Sequence, residues 1–349
     1  MRDFWKGKKV LITGHTGFKG SWLAFWLKNL GAEVCGYSLA PETSPNLFEN
    51  LQLENKIRSV IGDIRDLENF QKTLESFQPE IVLHLAAQSL VRRSYREPVE
   101  TYTTNVIGTI NILEAVRKND FVKSVVIITT DKVYENKEWH WAYRENERLG
   151  GFDPYSNSKA CAELAVSSYR NSFFAESDCL IATARAGNVI GGGDWSEDRL
   201  LPDVFRSLIF GEKLEIRNPA SIRPWQHVLE PIAGYLKLAQ KLYEGEKTFA
   251  ESWNFGSEDS DAKPVGWILE KIKTVWNGDV NWEISQTKQP HEAKLLKLDS
   301  TKAKNELEWL PKLNLEDAIN LTVEWYRGFK DKTDLIELTE KQIDFYQNK

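Results

Sequence analysis

Short runs of valine, isoleucine and leucine alternate with amphipathic helical patterns along the first three quarters of the chain. The apolar runs lie at residues 9–13, 33–38, 59–64, 81–87, 124–130, 179–187 and 252–257. Helical patterns separate them, at 21–32, 67–77, 99–119 and 156–174. Strands that are apolar on both faces and joined by helices are typical of a parallel sheet with both sides covered. The sequence therefore predicts a doubly wound α/β fold of the Rossmann type, with its ligand crevice beyond the carboxyl ends of the strands.

A glycine-rich loop, GHTGFKG at residues 14–20, joins the first predicted strand to the first predicted helix. Glycines let the backbone approach a diphosphate, and the N-terminus of the next helix offers free amides and partial positive charge. The alternative is a tight turn that binds nothing. Because a strand, a helix and a second strand surround the loop at the required spacing, we expect a dinucleotide to bind here. The expected contacts are Gly14, Thr16, Gly17, Phe18, Lys19 and Gly20.

The second predicted strand lacks the acid that usually binds the adenosine ribose. Tyr37 and Ser38 stand at its end, but no lysine or arginine occurs between Lys28 and Lys56 to hold a 2′-phosphate. We therefore expect NAD rather than NADP. Asp63, at the end of the third predicted strand, either accepts from the adenine amino group or caps the helix that begins near Asp66.

The composition of the sequence changes after residue 188, where loops rich in glycine, proline, aspartate and arginine alternate with helical patterns. We predict an NAD-binding Rossmann domain at 1–187 and 228–257. A smaller mixed α/β lobe that binds the substrate is predicted at 188–227 and 258–349. The last nine residues, KQIDFYQNK, are expected to form a loosely held tail.

Composition excludes several classes of protein. The net charge is −6 and the basic residues are scattered, which argues against a nucleic-acid surface. No stretch of 18 apolar residues suggests a membrane span, and the start of the chain leaves no room for a signal peptide. Three widely spaced cysteines without a CxxC pattern indicate reduced thiols in a cytoplasmic protein, with no metal site. Trp22 and Trp26 have helical spacing and are expected in the core.

Tyr155 and Lys159 are four residues apart in a predicted helix, so both project from one face. A tyrosine with a reference pKa of about 10 must be acidified by roughly three units to deprotonate an alcohol near neutral pH. A neighbouring ammonium and a positively charged nicotinamide both favour the ionised phenol. On an arbitrary helix this pair would be a surface contact. After a glycine loop and five strands, it indicates the base of a hydride-transfer reaction.

Several further motifs occur in order with these. They are HLAAQSLVRRSYREPVETYTTNVIGT (84–109), DPYSNSKACAEL (153–164), RAGNVIGGGDW (185–195), RNP (217–219), RPWQHV (223–228) and WNFG (253–256). Together with the glycine loop they resemble the extended short-chain dehydrogenase/reductases that act on nucleotide sugars, over roughly residues 8–300. The resemblance implies that Thr130 binds the sugar C4 hydroxyl, with Tyr155 as the base and Lys159 as its partner. It also implies cofactor contacts at Asp63, Ile64, Leu85, Ala86, Ala87, Asn105, Tyr155 and Lys159.

Asp131 and Lys132 follow Thr130 directly, where most nucleotide-sugar dehydratases carry Asp-Glu or a single Glu. This pairing resembles the dehydratases that act on CDP-hexoses, which serve deoxysugar biosynthesis for lipopolysaccharide O-antigen. Oxidation of C4 to a ketone acidifies the C5 hydrogen, and the C6 hydroxyl must then leave as water. An amine and a carboxylic acid can share these two proton transfers. We assign Lys132 as the C5 base and Asp131 as the C6 acid; the reverse assignment and a water relay remain alternatives.

A CDP-sugar brings two negative charges, so the second lobe must supply arginines. Arg199 and Arg223 are the candidates for the diphosphate, and Arg217 is expected near the base or ribose; each arginine has a surface ion pair as the alternative. The resemblance adds Asn188 at the diphosphate, Ser89 and Arg92 near the sugar and, where the family closes on its substrate, His291. His227 could belong to the substrate site or could equally be a buried structural histidine.

The resemblance also implies a homo-oligomer, a dimer or tetramer paired through the helices at about 98–117 and 155–174. Two rival functions remain open. A nucleotide-sugar 4-epimerase would use the same Tyr155 and Lys159 without needing Asp131 and Lys132. A non-catalytic NAD-binding regulator would tolerate the loss of Tyr155 or Lys159.

Overall fold

A computed structural model describes residues 2–286 and 295–349. Its central feature is a seven-stranded sheet in which every neighbouring pair is parallel. The twelve strands of the described chain are β1 (Lys9–Thr13), β2 (Glu33–Ser38), β3 (Arg58–Ile61), β4 (Ile81–His84), β5 (Ser124–Ile128), β6 (Leu180–Ala186), β7 (Asn188–Ile190), β8 (Glu215–Ile216), β9 (Ile222–His227), β10 (Ser252–Phe255), β11 (Ala262–Pro264) and β12 (Glu283–Ile284).

Helices cover both faces of this sheet and build the second lobe. The α-helices are α1 (Arg2–Trp5), α2 (Phe18–Asn29), α3 (Leu47–Asn50), α4 (Leu67–Phe77), α5 (Val91–Arg96), α6 (Pro98–Tyr102), α7 (Gly108–Arg117), α8 (Pro154–Phe173), α9 (Leu200–Phe210), α10 (Leu229–Tyr243), α11 (Val265–Trp276), α12 (Thr301–Glu306), α13 (Leu315–Asp331) and α14 (Leu335–Asn348). No helix in the described ranges is both long enough and apolar enough to cross a lipid bilayer.

The order of the central sheet is β10-β6-β5-β4-β1-β2-β3. The chain therefore runs outward from β1 to β3 on one side, then returns to place β4 on the other side of β1. Such a reversal opens a crevice at the carboxyl ends of β1 and β4, which is where doubly wound folds bind ligands. The predicted α/β parallel fold is confirmed.

Alternate side chains along the strands enter two separate cores. Val10 and Ile12 of β1 pack with α2 and α10 on one face, whereas Leu11 packs with α4 and α7 on the other. This explains why the strands are apolar at nearly every position. Trp22 and Trp26 lie in the first core with no exposed surface, as predicted.

Several predicted boundaries were wrong by a few residues. The third strand ends at Ile61, so Asp63 lies in the loop beyond it. The single helix predicted at 99–119 is divided into α6 and α7 by a π-helical turn, Thr103–Ile107. A π-turn of this kind inserts one residue into the helical ladder, and no periodicity in the side chains announces it.

The second lobe contains a three-stranded sheet of order β11-β9-β7 and a small pair of strands, β12 and β8. His227, at the end of β9, is completely buried against Trp22, with ring centroids 5.9 Å apart, and burial lowers its pKa to about 3. The geometry therefore favours the structural interpretation of His227.

The expectation of a loose C-terminal tail was wrong. Residues 341–349 belong mostly to α14, whose Ile343 and Tyr346 are buried. Tyr346 donates a hydrogen bond of 2.9 Å to Glu230 of α10 and packs edge-on against Trp26. The helix starts after the N-cap residue Asp334. Its apolar positions are few and are surrounded by charged and polar residues, so its amphipathic pattern is hard to recognise in the sequence.

Candidate active site

One large cavity of about 1460 Å³ opens at the carboxyl ends of β1, β4, β5 and β6 and extends under the second lobe. Nearly all of the predicted site residues line it, although they come from distant parts of the chain. The predicted residues that line the cavity are Gly14, Thr16, Gly17, Phe18, Lys19, Gly20, Asp63, Ile64, Leu85, Ala86, Ala87, Ser89, Arg92, Thr130, Asp131, Lys132, Tyr155, Lys159, Asn188, Arg199, Arg217 and Arg223.

The three glycines of the first loop have different roles. Gly14 has a positive φ of +78°, and a Cβ there would lie 2.7 Å from the backbone nitrogen of Ala86. A Cβ on Gly20 would lie 2.0 Å from the Gly14 carbonyl oxygen. Gly17 differs, because a Cβ there would meet nothing in the protein closer than 3.5 Å. Gly17 is the N-cap of α2, so its bare backbone leaves space for an anion beside the first amides of that helix.

The adenosine end of the cavity is polar but carries no acid on β2. The Ser38 and Thr16 hydroxyls are 2.9 Å apart, and Thr16 also donates to the Leu39 carbonyl. Asp63 pairs with Arg65 through its side chain, and this pairing lowers the pKa of the carboxyl. Asp66, not Asp63, caps α4 by accepting from the Asn69 amide. The capping alternative for Asp63 was therefore wrong, whereas its adenine contact stays a prediction.

The strand β5 delivers the triplet Thr130, Asp131 and Lys132 into a 3₁₀ turn, Asp131–Val133. The Thr130 hydroxyl donates to Asp131 over 2.9 Å and accepts from the Lys132 amide over 3.4 Å. Asp131 is 3% exposed, and burial raises the pKa of its carboxyl although Lys132 opposes the shift. Its oxygen lies where a Cβ on Gly187 would be only 3.1 Å away, so the glycine makes room for the acid.

Helix α8 presents Tyr155 and Lys159 to the same place. Asp153 caps its start by accepting from the Ser156 amide, and Pro154 occupies the first turn, where proline is tolerated. Tyr155 lies within hydrogen-bonding reach of Thr130, so the two elements converge on one point. Lys159 donates a bond of 3.0 Å to the Ile128 carbonyl of β5.

The protein groups alone do not acidify Tyr155. Burial raises the pKa of Tyr155 to about 12, although the Thr130 hydrogen bond and Arg199 oppose the shift. Burial also lowers the pKa of Lys159 to about 8, against the attraction of Glu163. The positive charge of the nicotinamide, when NAD is bound, would lower the pKa of Tyr155, as expected from the sequence.

Lys19 brings a further cation into the cavity from the glycine loop. Burial lowers its pKa to about 8, and Arg199 and Lys159 add to that shift. Lys19 joins Lys132 and the arginines of the second lobe among the cations that line the cavity, which acidic side chains such as Asp194 and Asp198 line as well. These cations are the groups available to an anionic ligand.

One acidic loop contacts three of the four predicted substrate arginines. Arg92 forms an ion pair of 2.5 Å with Asp198, and Arg217 donates to the Asp198 carbonyl over 2.8 Å. Arg199 pairs with Asp194 over 3.1 Å and donates to the Ser89 hydroxyl over 3.2 Å. The loop joins α5 of the Rossmann part to the second lobe across the mouth of the cavity.

Among the described residues, one predicted site residue does not line the cavity. Asn105 is buried behind it, where its side-chain amide bonds both backbone groups of Gln88 and the Ser158 hydroxyl. The structure thus gives Asn105 a supporting position beneath Gln88, and its contact with the cofactor stays a prediction. His291 lies outside the described residues.

The structure connects further residues to the site that the sequence did not indicate. Glu163 follows Lys159 by four residues on the same face of α8, and that spacing was the available signal. The acidic partners Asp194 and Asp198 gave no signal, because their role depends on tertiary pairing. Within the described residues, no group of three or more His, Cys, Asp or Glu side chains is placed to hold a metal ion.

Comparison with known proteins places this site in a family. The model of the GDP-mannose 4,6 dehydratase family matches residues 11–322. The chain therefore belongs to this family, which confirms the resemblance to enzymes that modify nucleotide sugars.

Within the family, the chain is 50% identical to CDP-glucose 4,6-dehydratase of Salmonella typhimurium, over 99% of this chain and 98% of the relative. This similarity confirms the prediction of a dehydratase. Two solved structures share the fold at low sequence identity. The UDP-glucose 4-epimerase of Stenotrophomonas maltophila, with bound NAD and formylated UDP-arabinopyranose, has a TM-score of 0.81 at 20% identity, covering 93% of this chain and 100% of the other. The dTDP-glucose 4,6-dehydratase of Bacillus anthracis, in complex with NAD, has a TM-score of 0.77 at 23% identity, covering 95% and 100%.

Proposed function

We propose that this protein is an NAD-dependent dehydratase that converts CDP-D-glucose to CDP-4-dehydro-6-deoxy-D-glucose and water. One observation carries the proposal: an oxidation pair, Tyr155 and Lys159, and an elimination pair, Asp131 and Lys132, border the same cavity around Thr130. The similarity to CDP-glucose 4,6-dehydratase of Salmonella typhimurium supports the choice of nucleotide.

The first step is oxidation at C4 of the sugar. Thr130 binds the C4 hydroxyl, and Tyr155 removes its proton. Lys159 supplies a positive charge on the same helix face and lies close enough to β5 to be held in place by the Ile128 carbonyl. NAD, when bound, accepts the hydride from C4 and later returns it to C6.

The second step is elimination across C5 and C6. The C4 ketone acidifies the C5 hydrogen, which Lys132 removes as the base. Asp131 then donates a proton to the departing C6 hydroxyl, and the raised pKa of its buried carboxyl suits a proton donor. Return of the hydride to C6 and of a proton to C5 then gives a product that retains the ketone at C4 and has lost the C6 oxygen as water.

The residues at the adenosine end favour NAD over NADP. The cation that lines this end is Arg93, and it already pairs with three carboxylates, Glu42, Glu97 and Glu100. An additional 2′-phosphate would meet this acidic group and the short Ser38 side chain. Gly17 leaves open space for the diphosphate at the start of α2. Titration of both cofactors into cofactor-free protein tests the preference, and tighter binding of NADP would contradict it.

Incubation with CDP-, UDP-, dTDP- and GDP-glucose, followed by identification of the product, tests the reaction. A 4-keto-6-deoxy product from CDP-glucose supports the dehydratase. The shared fold with UDP-glucose 4-epimerase makes epimerisation the second candidate. A CDP-hexose inverted at C4, with its C6 oxygen retained, would establish the epimerase instead. Binding of NAD without any turnover would favour a non-catalytic regulator.

The assembly is proposed to be a homo-oligomer, a dimer or tetramer, that pairs through the helices near 98–117 and 155–174. The support is a set of large apolar side chains that these helices expose: Val99 (75%), Ile107 (48%), Leu164 (59%) and Phe173 (52%). Exposed apolar residues on adjacent helices are typical of an interface. Light scattering at micromolar concentration tests this, and a monomeric mass would contradict it.

The remaining expectations concern location and pathway. The division into a Rossmann domain and a substrate lobe, with the bounds given above, is part of the proposal. So are a cytoplasmic location and a role in making deoxysugars for lipopolysaccharide O-antigen.

A further inference from the structure

A buried ion pair lies directly beneath the proposed catalytic residues. Glu163 is on the same face of α8 as Tyr155 and Lys159, one turn further along the helix. Its carboxylate accepts from Arg185 of β6 through two parallel hydrogen bonds, each 2.9 Å long. Both side chains are almost completely buried, with exposures of 2% and 3%. Neither lines the cavity.

Burying such a pair is costly in free energy. Desolvation of two charges often cancels their attraction, and apolar residues of similar volume stabilise a core at least as well. The pair therefore calls for a role other than stability. Its hydrogen bonds to neighbouring residues indicate what that role is.

The pair holds the chain on both sides of the catalytic turn. Before the turn, the Thr129 hydroxyl donates to Glu163 over 2.5 Å. After the turn, Arg185 donates to the Tyr134 hydroxyl over 2.7 Å. Thr130, Asp131 and Lys132 lie between these two attachments. The same carboxylate is rigidly joined, through α8, to Tyr155.

We infer that Glu163 and Arg185 form a positioning unit, which fixes the catalytic turn against helix α8 and so sets the distance from Thr130 and Asp131 to Tyr155. This inference rests on the proposed dehydratase activity. Neither residue touches the sugar or the reacting atoms. Their effect on catalysis is indirect, because Thr129 and Tyr134 transmit it to the turn. Displacement of a catalytic group by about 1 Å can lower a rate by 10²-fold.

The chain offers a matched control. Thr129 and Thr183 are both buried threonines whose hydroxyls donate to Glu163, over 2.5 Å and 2.7 Å. Thr129 adjoins the catalytic turn, whereas Thr183 is in the middle of β6, where its hydroxyl also bonds the Ser252 hydroxyl over 3.0 Å. Replacement of either by valine removes one hydroxyl donor from the same carboxylate. Only the Thr129 variant releases the turn.

We expect Thr129→Val to lower kcat for CDP-glucose by about 10-fold to 100-fold with little change in KM. Thr183→Val should keep kcat within about 2-fold, and Thr129→Ser, which retains the hydroxyl, should restore most of the rate. The thermal midpoints of both valine variants are measured in parallel, because each variant should lose some stability with its hydrogen bond to Glu163. If Thr129→Val and Thr183→Val lose activity equally, or if Thr129→Ser is as slow as Thr129→Val, the pair is only structural.

A second variant covers the case in which Thr129→Val does not fold. Tyr134→Phe removes the attachment on the other side of the turn and leaves the ring in place. A reduced kcat with unchanged KM supports the inference, and an unchanged kcat overturns it. Wild-type protein is measured in the same assay. If the wild type has no dehydratase activity, the proposed function is wrong; if only the variants behave differently from expectation, the positioning role is wrong.

Discussion

Asp131 and Lys132 are neighbours in the chain, yet the fold gives them different environments. Asp131 is buried against Gly187 and bonded to Thr130, whereas Lys132 is half-buried and faces the cavity. Burial raises the pKa of the Asp131 carboxyl, so its protonated form is favoured relative to a carboxyl in water. The raised pKa supports the assignment of Asp131 as the acid at C6, and the role of Lys132 as the base at C5 stays a prediction.

Replacement of Lys132 should separate the two chemical steps. In Lys132→Met, Thr130 and Tyr155 remain, so C4 oxidation proceeds and bound NADH accumulates. Removal of the C5 proton loses its base, and exchange of that position with deuterated water should slow by about 10²–10⁴-fold. NADH absorbance and mass spectrometry of the sugar measure the two steps.

The control for Lys132→Met is Tyr155→Phe, which should prevent NADH formation from the start. If Lys132→Met keeps near-normal C5 exchange and product formation, Lys132 is not the base. Asp131 or a water would then take that role.

Individual site residues differed in how far the sequence predicted them. Tyr155 and Lys159 were placed together because their spacing on one helix is local information. Thr130 and its two neighbours followed from their position at a strand end. Asp198 could not be predicted, because its importance comes from an ion pair with Arg92, 106 residues away along the chain.

At the scale of elements, α5 and the loop at 194–198 meet across the mouth of the cavity. Arg92 and Arg96 of α5 pair with Asp198 and Glu197 of the loop. A nucleotide ligand that reaches Arg92, which is predicted to bind the substrate, must compete with the Asp198 carboxylate for it. Asp198 also has a positive φ of 59°, a conformation that aspartate tolerates better than most residues.

Asp198→Asn should therefore strengthen binding of the nucleotide. A half-exposed ion pair contributes about 0.2–1 kcal/mol, so the Kd for CDP should fall by at most about 5-fold. Calorimetric titration with CDP measures the change. The matched control is Glu197→Gln, since Glu197 pairs with Arg96, which does not line the cavity. Weaker binding of CDP by Asp198→Asn than by wild type would show that the carboxylate assists the site.

The arrangement of elements was largely predictable, whereas their ends were not. Apolar runs identified all seven strands of the central sheet, because six of them are buried on both faces; β3, at the edge, is only partly buried. The break between α6 and α7 went unseen because both halves have helical periodicity. The π-turn at Thr103–Ile107 separates the two helices. Asn105 lies in this turn and accepts a hydrogen bond from the Gln88 amide.

At the scale of the whole molecule, α14 joins the C-terminus to the Rossmann part of the chain. Tyr346 contacts Trp26 of α2 and Glu230 of α10, and Trp325 donates to Thr339 over 3.0 Å. The sequence predicted a loose tail in place of the end of this helix, because most of its residues are charged or polar. Its four buried positions, Thr339, Gln342, Ile343 and Tyr346, can be recognised only when their partners elsewhere in the chain are known.

Adjacent aromatic residues on α14 provide a test of this attachment. Tyr346 is 3% exposed and Phe345 is 47% exposed. Tyr346→Ala should destabilise the protein by about 3–5 kcal/mol, as expected for a buried aromatic side chain, and should lower the thermal midpoint by several degrees. Phe345→Ala should change stability by about 0.5 kcal/mol or less. Equal midpoints for the two variants would mean that α14 is not held against the body of the protein.

Glu230 makes this attachment sensitive to pH. Its carboxylate accepts from the amides of Lys312 and Leu313, over 2.8 Å and 2.6 Å, and from the Tyr346 hydroxyl. Burial nevertheless raises the pKa of Glu230 from 4.5 to about 6. The folded protein thus binds this proton more tightly than the unfolded chain does. The resulting stabilisation is complete below pH 4.5 and is lost as the pH rises through about 6.

Glu230→Gln should remove this dependence, because glutamine stays neutral and still offers an acceptor to the two amides. Between pH 5 and pH 7 the wild type should lose roughly 1 kcal/mol more unfolding free energy than the variant. Urea titrations of both proteins at the two pH values measure the difference, in which the contributions of all other titrating groups cancel. If the two proteins change in parallel, Glu230 is ionised in the folded state throughout this range. The three hydrogen bonds would then outweigh its burial.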